Sequence, residues 1–181
     1  MSGLAIREQA LGPNHPDVAT SLNNLGVFHR SSGDNEGARP YYERALQAYE
    51  TTLGPDHPQL GLALTNLANL LKDLGEYDEA RRLYERALVI REEALGPDHP
   101  DVGHTLIGLA SLADTIGDTE TARTLVVRAL GIWEKAYGPD HPQVAGVLDD
   151  LASLHRRLGD DVEAQKIEAR AAAIRAQPDK S

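Results

Sequence analysis

One spacing constrains this chain more than any other property. Gly-Pro falls at Gly12-Pro13, Gly54-Pro55, Gly96-Pro97 and Gly138-Pro139, a constant interval of 42 residues. His-Pro follows in the same register at His15-Pro16, His57-Pro58, His99-Pro100 and His141-Pro142. A second glycine set, Gly33, Gly75, Gly117 and Gly159, keeps the same period. Four copies in register align the chain with itself, so the fold is one unit built four times.

Each copy carries two helical patterns. The first opens at His-Pro, where a proline at the first helical position loses nothing by lacking an N–H. Leu22, Leu25, Gly26 and His29 then recur at helical spacing, as do Leu64, Leu67, Ala68 and Leu71. The pattern stops at the second glycine, a C-terminal helix signal. A short acidic turn leads to a second helix carrying Ala38, Tyr42, Ala45 and Leu46, then Ala80, Tyr84, Ala87 and Leu88, then Ala122, Val126, Ala129 and Leu130. Copy four has Ala164, Glu168, Ala171 and Ala172 there. Small residues at fixed positions let two helix axes approach closely. No strand-like alternation of any length is present.

The combination resembles the tetratricopeptide repeat: Leu beside Ala or Gly in the first helix, Gly at the turn, then Ala, Tyr and Ala-Leu in the second. Leu95-Gly96-Pro97-Asp98-His99-Pro100-Asp101-Val102, with Tyr84-Glu85-Arg86-Ala87-Leu88, is similar to the 42-residue, kinesin light chain-like subclass. Related arrays occur in bacterial multidomain signalling proteins. HEAT and armadillo repeats have similar periods, but this register does not suggest them. The resemblance implies an all-α, right-handed superhelical α-solenoid of helix-turn-helix repeats. Its expected organisation is a single array over 4–176: a half-repeat over 4–10, then repeats over 11–52, 53–94, 95–136 and 137–176. Residues 1–3 and 177–181 are expected to be flexible ends. Leu4 to Ala10 match Leu88 to Ala94, so the chain is expected to begin within a second helix and to be a piece of a longer array. Glu168 at an otherwise apolar position suits a capping helix.

Composition narrows the function. The 181 residues carry a formal charge of −10 and include no cysteine, which removes disulfides, thiolate metal sites and cysteine nucleophiles. No run of about 18 apolar residues exists to span a membrane. An acidic chain with eight aromatic residues is poorly equipped to bind nucleic acid through phosphates or stacked bases. The expectation is a soluble, cytoplasmic protein. The charge sits mainly in turns and linkers, at Asp34, Asp56, Glu76, Asp98, Asp118, Asp140, Asp160 and Asp161, with no base among them. There, carboxylates are expected to cap free N–H groups and offset helix dipoles.

Catalytic and metal chemistry finds no support in the motifs. His15, His57, His99 and His141 share one repeat position, and equivalent helices lie about 10 Å apart. Two histidines on one metal must each come within about 2.1 Å of it, so these four are read as linker packing and helix entry. His29 and His155 lie in the apolar stripe of the first helix as half-buried packing residues. Ser153 and His155 are near only in sequence, and neither a Gly-x-Ser-x-Gly elbow nor a phosphate-binding glycine loop appears. Asp149 and Asp150 diverge by about 100° on a helix. The expectation is no enzyme, no metal and no cofactor.

What remains is the groove face of the first helices. The resemblance implies that Thr20, Asn23, Val27 and Arg30 line it, flanked by Asn24, whose position often clamps a peptide backbone in similar arrays. Copy two supplies Leu62, Thr65, Asn66, Asn69 and Lys72. Copy three supplies His104, Ile107, Gly108, Ser111 and Asp114, and copy four Gly146, Asp149, Asp150, Ser153 and Arg156. A carboxamide offers donor and acceptor together and can pair with any peptide unit. The candidate peptide-binding residues are therefore Asn23, Asn24, Arg30, Thr65, Asn66, Asn69 and Lys72, with Arg30 and Lys72 facing an acidic ligand group. Gly108 and Asp150 replace the amide in the later copies, so the clamp is implied only for the first two. The expected function is non-catalytic recognition of a protein or peptide, as part of a larger protein. The competing roles are an intramolecular sensor or scaffold arm of a signalling protein, and self-assembly, with weak association through the N-terminal array end.

Overall fold

The computed structural model describes residues 3–177. The expected flexible ends fall mostly on 1–2 and 178–181, outside the described residues; Gly3 already belongs to a helix. Among the described residues the chain forms nine helices and no strand: α1 (Gly3–Leu11), α2 (Pro16–Ser31), α3 (Asn35–Leu53), α4 (Gln59–Asp73), α5 (Tyr77–Leu95), α6 (Pro100–Thr115), α7 (Thr119–Tyr137), α8 (Pro142–Arg157) and α9 (Asp161–Arg175). No helix among them is long and apolar enough to cross a membrane. The chain divides into two compact units, one up to Ala94 and one from Leu95 onward, at the boundary between copies two and three.

Each helix pair is closed by the same turn. In the first copy Gly33 takes φ +83°, its N–H bonds Arg30 O at 3.0 Å, and the Asp34 N–H bonds His29 O at 3.0 Å. This double bond satisfies two orphan carbonyls of α2 and needs a residue without a Cβ in the left-handed region. Gly75, Gly117 and Gly159 repeat it. The Asp34 side chain then caps α3 by accepting from Gly37 N at 2.9 Å. Asp118 caps α7 and Asp160 caps α9 in the same way.

The linker carboxylates behave differently from expectation. The first helices are capped by the repeated histidines: Nδ1 of His15, His57, His99 and His141 each accepts the backbone N–H two residues ahead at 3.2 Å. The ring stands one residue before the proline, at the distance a capping acceptor needs. Asp98 pairs with Lys135 on α7.

Packing follows the small-residue pattern. In the N-terminal unit Tyr42 and Tyr84 are fully buried, against α2 and α4 respectively, and Gly26 lets the Tyr42 ring press directly on the α2 backbone. Ala19, Ala48, Leu60, Leu64, Ala87 and Ile90 form one core cluster, and Val18, Leu22 and Ala45 another. Leu4 of α1 packs on the second cluster, while Ile6 is exposed. In the C-terminal unit Val102, Leu106, Ala122, Val126, Ala129, Val144 and Leu148 are buried, and the Trp133 indole donates to Pro100 O at 3.1 Å.

Candidate protein-interaction surface

The first helices of the N-terminal unit, α2 and α4, bring most of the candidate residues together. Thr20, Asn23, Val27 and Arg30 share one stripe of α2, because residues three and four apart lie on one helix face. On α4, Asn66, Asn69 and Lys72 follow at three-residue intervals, with Thr65 beside them. Asn23 is buried, and its Oδ1 accepts from Asn66 Nδ2 at 3.0 Å. Arg30 Nε and Nη2 both donate to Asp73 Oδ2, at 2.8 and 2.7 Å. Thr65 is buried and returns its hydroxyl to Gly61 O at 2.7 Å. Asn69 Oδ1 accepts the Tyr84 hydroxyl at 2.6 Å. Burial pushes the Lys72 ammonium below its usual range, with Asp73 opposing the shift. Burial likewise raises the Tyr42 hydroxyl above ordinary phenols, and that of Tyr84 well above them.

Asn24 stands apart. One residue of helix rotation takes it off the Asn23 stripe, and it lines a depression with Leu4, Arg7, Ser21, Leu25, Phe28 and Tyr41. Phe28, exposed at 65%, belongs to the same depression. The contact across α2 and α4 is thus Asn23 to Asn66, not Asn24 to Asn66.

Sequence reasoning missed Asp73 and Tyr84, the residues that engage Arg30 and Asn69. A signal for the first existed. Arg30 and Asp73 are 43 apart, one more than the repeat, and so are Asp114 and Arg157, which pair in the C-terminal unit with the charges exchanged.

That unit carries its own groove. Ile107, Ala110, Ser111 and Asp114 of α6, Val126 of α7, and Asp150, Ser153 and Leu154 of α8 line an open depression of about 260 Å³. Ile107, Ser111, Asp114, Asp150 and Ser153 are groove positions named from the sequence. The neighbouring cations are committed: Arg157 to Asp114 Oδ2, Arg156 to Glu168, and Arg175 to Asp149. Asp114 Oδ1 is buried and accepts nothing among the described residues. Desolvation, and secondly the adjacent Asp149, push the Asp150 carboxyl above the usual carboxylate range.

The histidines of the apolar stripe join the turns. His29 Nδ1 lies 2.8 Å from Asp34 Oδ2 and its ring stacks on Tyr41; His155 Nδ1 lies 3.3 Å from Asp160 Oδ2. The His29 contact, followed by the Gly37 N–H, holds the Asp34 carboxyl below its usual range. Among the described residues no three His, Asp or Glu side chains converge in a metal-binding group.

The tetratricopeptide repeat family model matches residues 3–51, 18–88, 60–130 and 116–177. Comparison with curated proteins finds no match. Among solved structures the chain is similar to BtubC (BKLC) from P. vanneervenii, with a TM-score of 0.84 and 24% identity over 97% of this chain and 73% of that one. It is similar to a Podosopora anserina protein described as a kinesin light chain with nearly identical TPR-like repeats, at 0.77 and 25% over 98% and 84%. It is also similar to the apo form of RapI, at 0.78 and 17% over 94% and 61%. These likenesses show an all-α repeat solenoid and bear out the fold class that the resemblance implied.

Proposed function

The chain belongs to the tetratricopeptide repeat family, and we propose that it is a non-catalytic recognition module that binds an extended segment of a partner protein along the groove face of its first helices. Such repeats serve as protein-interaction modules in general. The observation that carries the finer reading is a pair of oriented carboxamides on α4. Asn66 spends one N–H on Asn23, and Asn69 spends its oxygen on Tyr84. Among the described residues, the Asn66 oxygen and the Asn69 amide hydrogens remain unspent. A carboxamide has four hydrogen-bonding sites, so each keeps capacity after being fixed in place. Fixing it beforehand removes part of the entropy a ligand would otherwise have to overcome.

An acceptor and a donor held three residues apart on one helix face suit a peptide backbone, which alternates the same two groups. Binding of this kind is indifferent to ligand side chains. Arg30 has a partner in Asp73 and serves here as a wall of the groove rather than as an anchor for acidic ligands. Lys72 stays on the ligand-facing stripe.

The test is selection of peptides from a random display library against the whole chain, followed by titration of each binder against Asn66→Ala and Asn69→Ala. Each variant should weaken every binder by about 0.5–1.5 kcal/mol, the net worth of one hydrogen bond, whatever the peptide's side chains. Binders whose affinity neither change alters would move the site off α4. Selection that returns no binder would overturn the peptide reading.

A further inference from the structure

We propose that the groove over Val27 takes an asparagine or glutamine side chain of the bound segment, whose amide oxygen accepts the unmet hydroxyl of Tyr42. The inference rests on the peptide reading and gives one position of its ligand a chemistry.

Copies one and two treat the same tyrosine differently. In copy two the Tyr84 hydroxyl, on α5, donates to Asn69 Oδ1 on α4 at 2.6 Å, across 15 residues of sequence. The same spacing in copy one runs from Tyr42 to Val27. The tyrosine is kept, and the residue that would accept from it is a hydrocarbon. Copies three and four have Val126 and Glu168 in place of the tyrosine, so copy one alone sets a tyrosine against a residue that cannot accept.

Tyr42 is 1% exposed, and among the described residues its hydroxyl makes no hydrogen bond. Among those residues the one fully enclosed side-chain polar atom without a partner is Asp114 Oδ1, in the other unit. The unpartnered Tyr42 oxygen is therefore not enclosed, and the part of Tyr42 that stays open includes its hydroxyl. Its surroundings set that opening on the groove face. The ring lies against the α2 backbone at Gly26, and Val27, 44% exposed, is the next residue. Arg30 and Asp73, which bridge α2 and α4, both act on the hydroxyl electrostatically. They act on the Tyr84 hydroxyl too, and that one reaches the groove stripe of α4.

A hydroxyl deprived of most of its water and given no partner costs free energy that a ligand acceptor recovers. Tyr84 shows which acceptor fits a tyrosine in this fold, namely a carboxamide oxygen. An asparagine or glutamine from outside supplies the same atom and lays its CH2 groups on Val27. An apolar side chain would cover Val27 and leave the hydroxyl unmet. A carboxylate would stand beside Asp73, whose charge repels it. Arg30 offers little relief, because its Nε and Nη2 already donate to Asp73, and the Lys72 ammonium is disfavoured by its own burial. A neutral acceptor meets the hydroxyl without that repulsion.

The experiment uses the whole chain and peptides selected from a random display library. The expected result is enrichment of Asn or Gln at one fixed position of the binders. Replacing that residue by its apolar isostere, leucine for asparagine or norleucine for glutamine, should weaken binding about two- to tenfold, the worth of one hydrogen bond. Tyr42→Phe should weaken the parent peptides by the same factor and leave the isostere peptides unchanged. Val27→Asn, which rebuilds the copy-two pairing from within, should remove the preference as well. Urea titration adds a readout that needs no ligand. Tyr84→Phe should lower the folding constant about two- to tenfold by stripping Asn69 of its donor, whereas Tyr42→Phe should leave it unchanged or raise it. A Tyr42→Phe variant as destabilised as Tyr84→Phe would show the hydroxyl already satisfied and overturn the inference. Binders without Asn or Gln enrichment, or amide-bearing binders indifferent to Tyr42→Phe or to Val27→Asn, would overturn it while the peptide reading stood. Selection that returns no binder overturns the peptide reading, and this inference with it.

Discussion

Gly26→Ala isolates the closest helix approach in the N-terminal unit. A Cβ built on Gly26 would stand 2.7 Å from Cδ1 and Cε1 of Tyr42 and 2.9 Å from its Cγ. Tyr42 is 1% exposed, so its ring has no open side to move into. Two effects of opposite sign compete. Alanine in a helix interior is better than glycine by about 1 kcal/mol. Forcing a methyl into a full core costs about 1–3 kcal/mol. The clash should win or break even, leaving the variant about 0–2 kcal/mol less stable. Gly131→Ala provides the reference, because a Cβ there meets nothing within 4 Å and the propensity gain of about 1 kcal/mol stands alone. A third variant closes the argument. Copy three pairs Ala110 with Val126 where copy one pairs Gly26 with Tyr42. In a Tyr42→Val background, which has its own cavity cost, Gly26→Ala should therefore become stabilising. Urea titration followed by far-UV circular dichroism gives all the stabilities, and the double-mutant cycle gives a coupling of about 1–3 kcal/mol. If Gly26→Ala stabilises as much as Gly131→Ala, with no coupling to Tyr42, the ring does not set the helix spacing and the account of this packing fails.

Three further outcomes follow from the caps and the charges. His99→Ala should cost about 0.5–2 kcal/mol by removing the Nδ1 acceptor at the start of α6, and His99→Asn should recover much of it; hydrogen exchange in the first turn of α6 reports the loss directly. Arg30→Asp should destabilise the N-terminal unit by no more than about 1 kcal/mol, since the pair is partly exposed, and the double change Arg30→Asp with Asp73→Arg should restore it in the orientation of Asp114 and Arg157; thermal midpoints at low and high salt decide this. Asp150→Asn should raise stability at neutral pH and leave it unchanged near pH 3. The folded carboxyl is raised above its unfolded value of about 3.9, so its contribution is favourable below that value and is lost as pH rises through the folded one. Denaturant midpoints for both proteins across that range supply the check.

The backbone was nearly all legible because its signals are local. Gly33 and its three equivalents end helices through a positive φ that side-chain-bearing residues avoid, and Pro16, Pro100 and Pro142 start them. α4 is the exception, starting at Gln59 with Pro58 as the residue before it. His57 still caps that helix, so the interaction survives a one-residue change of boundary. The capping role of the histidines was hidden for a chemical reason. The acidic linkers supply better-known capping residues, and only the geometry shows that the imidazole, next to the proline, reaches the N–H first. Asp34, Asp118 and Asp160 do cap as expected, because no histidine stands at that place in the second helices.

The groove was legible as a face but not as a set of partners. Counting by 42 compares a residue with its own equivalent, whereas the observed pairs across first helices run from a residue to the one after its equivalent: Asn23 to Asn66, Arg30 to Asp73, Asp114 to Arg157. Neighbouring first helices in each unit meet with an offset, and one residue on a helix is about 100° of rotation. That offset separates Asn24, which turns toward α1, from Asn23, which meets Asn66. It also explains why the same position has opposite consequences in the two units. With asparagine at both ends, the cross-helix contact closes on itself and leaves pre-oriented amides. With Ile107 at one end and the exposed Asp150 at the other, no such amide pair can form.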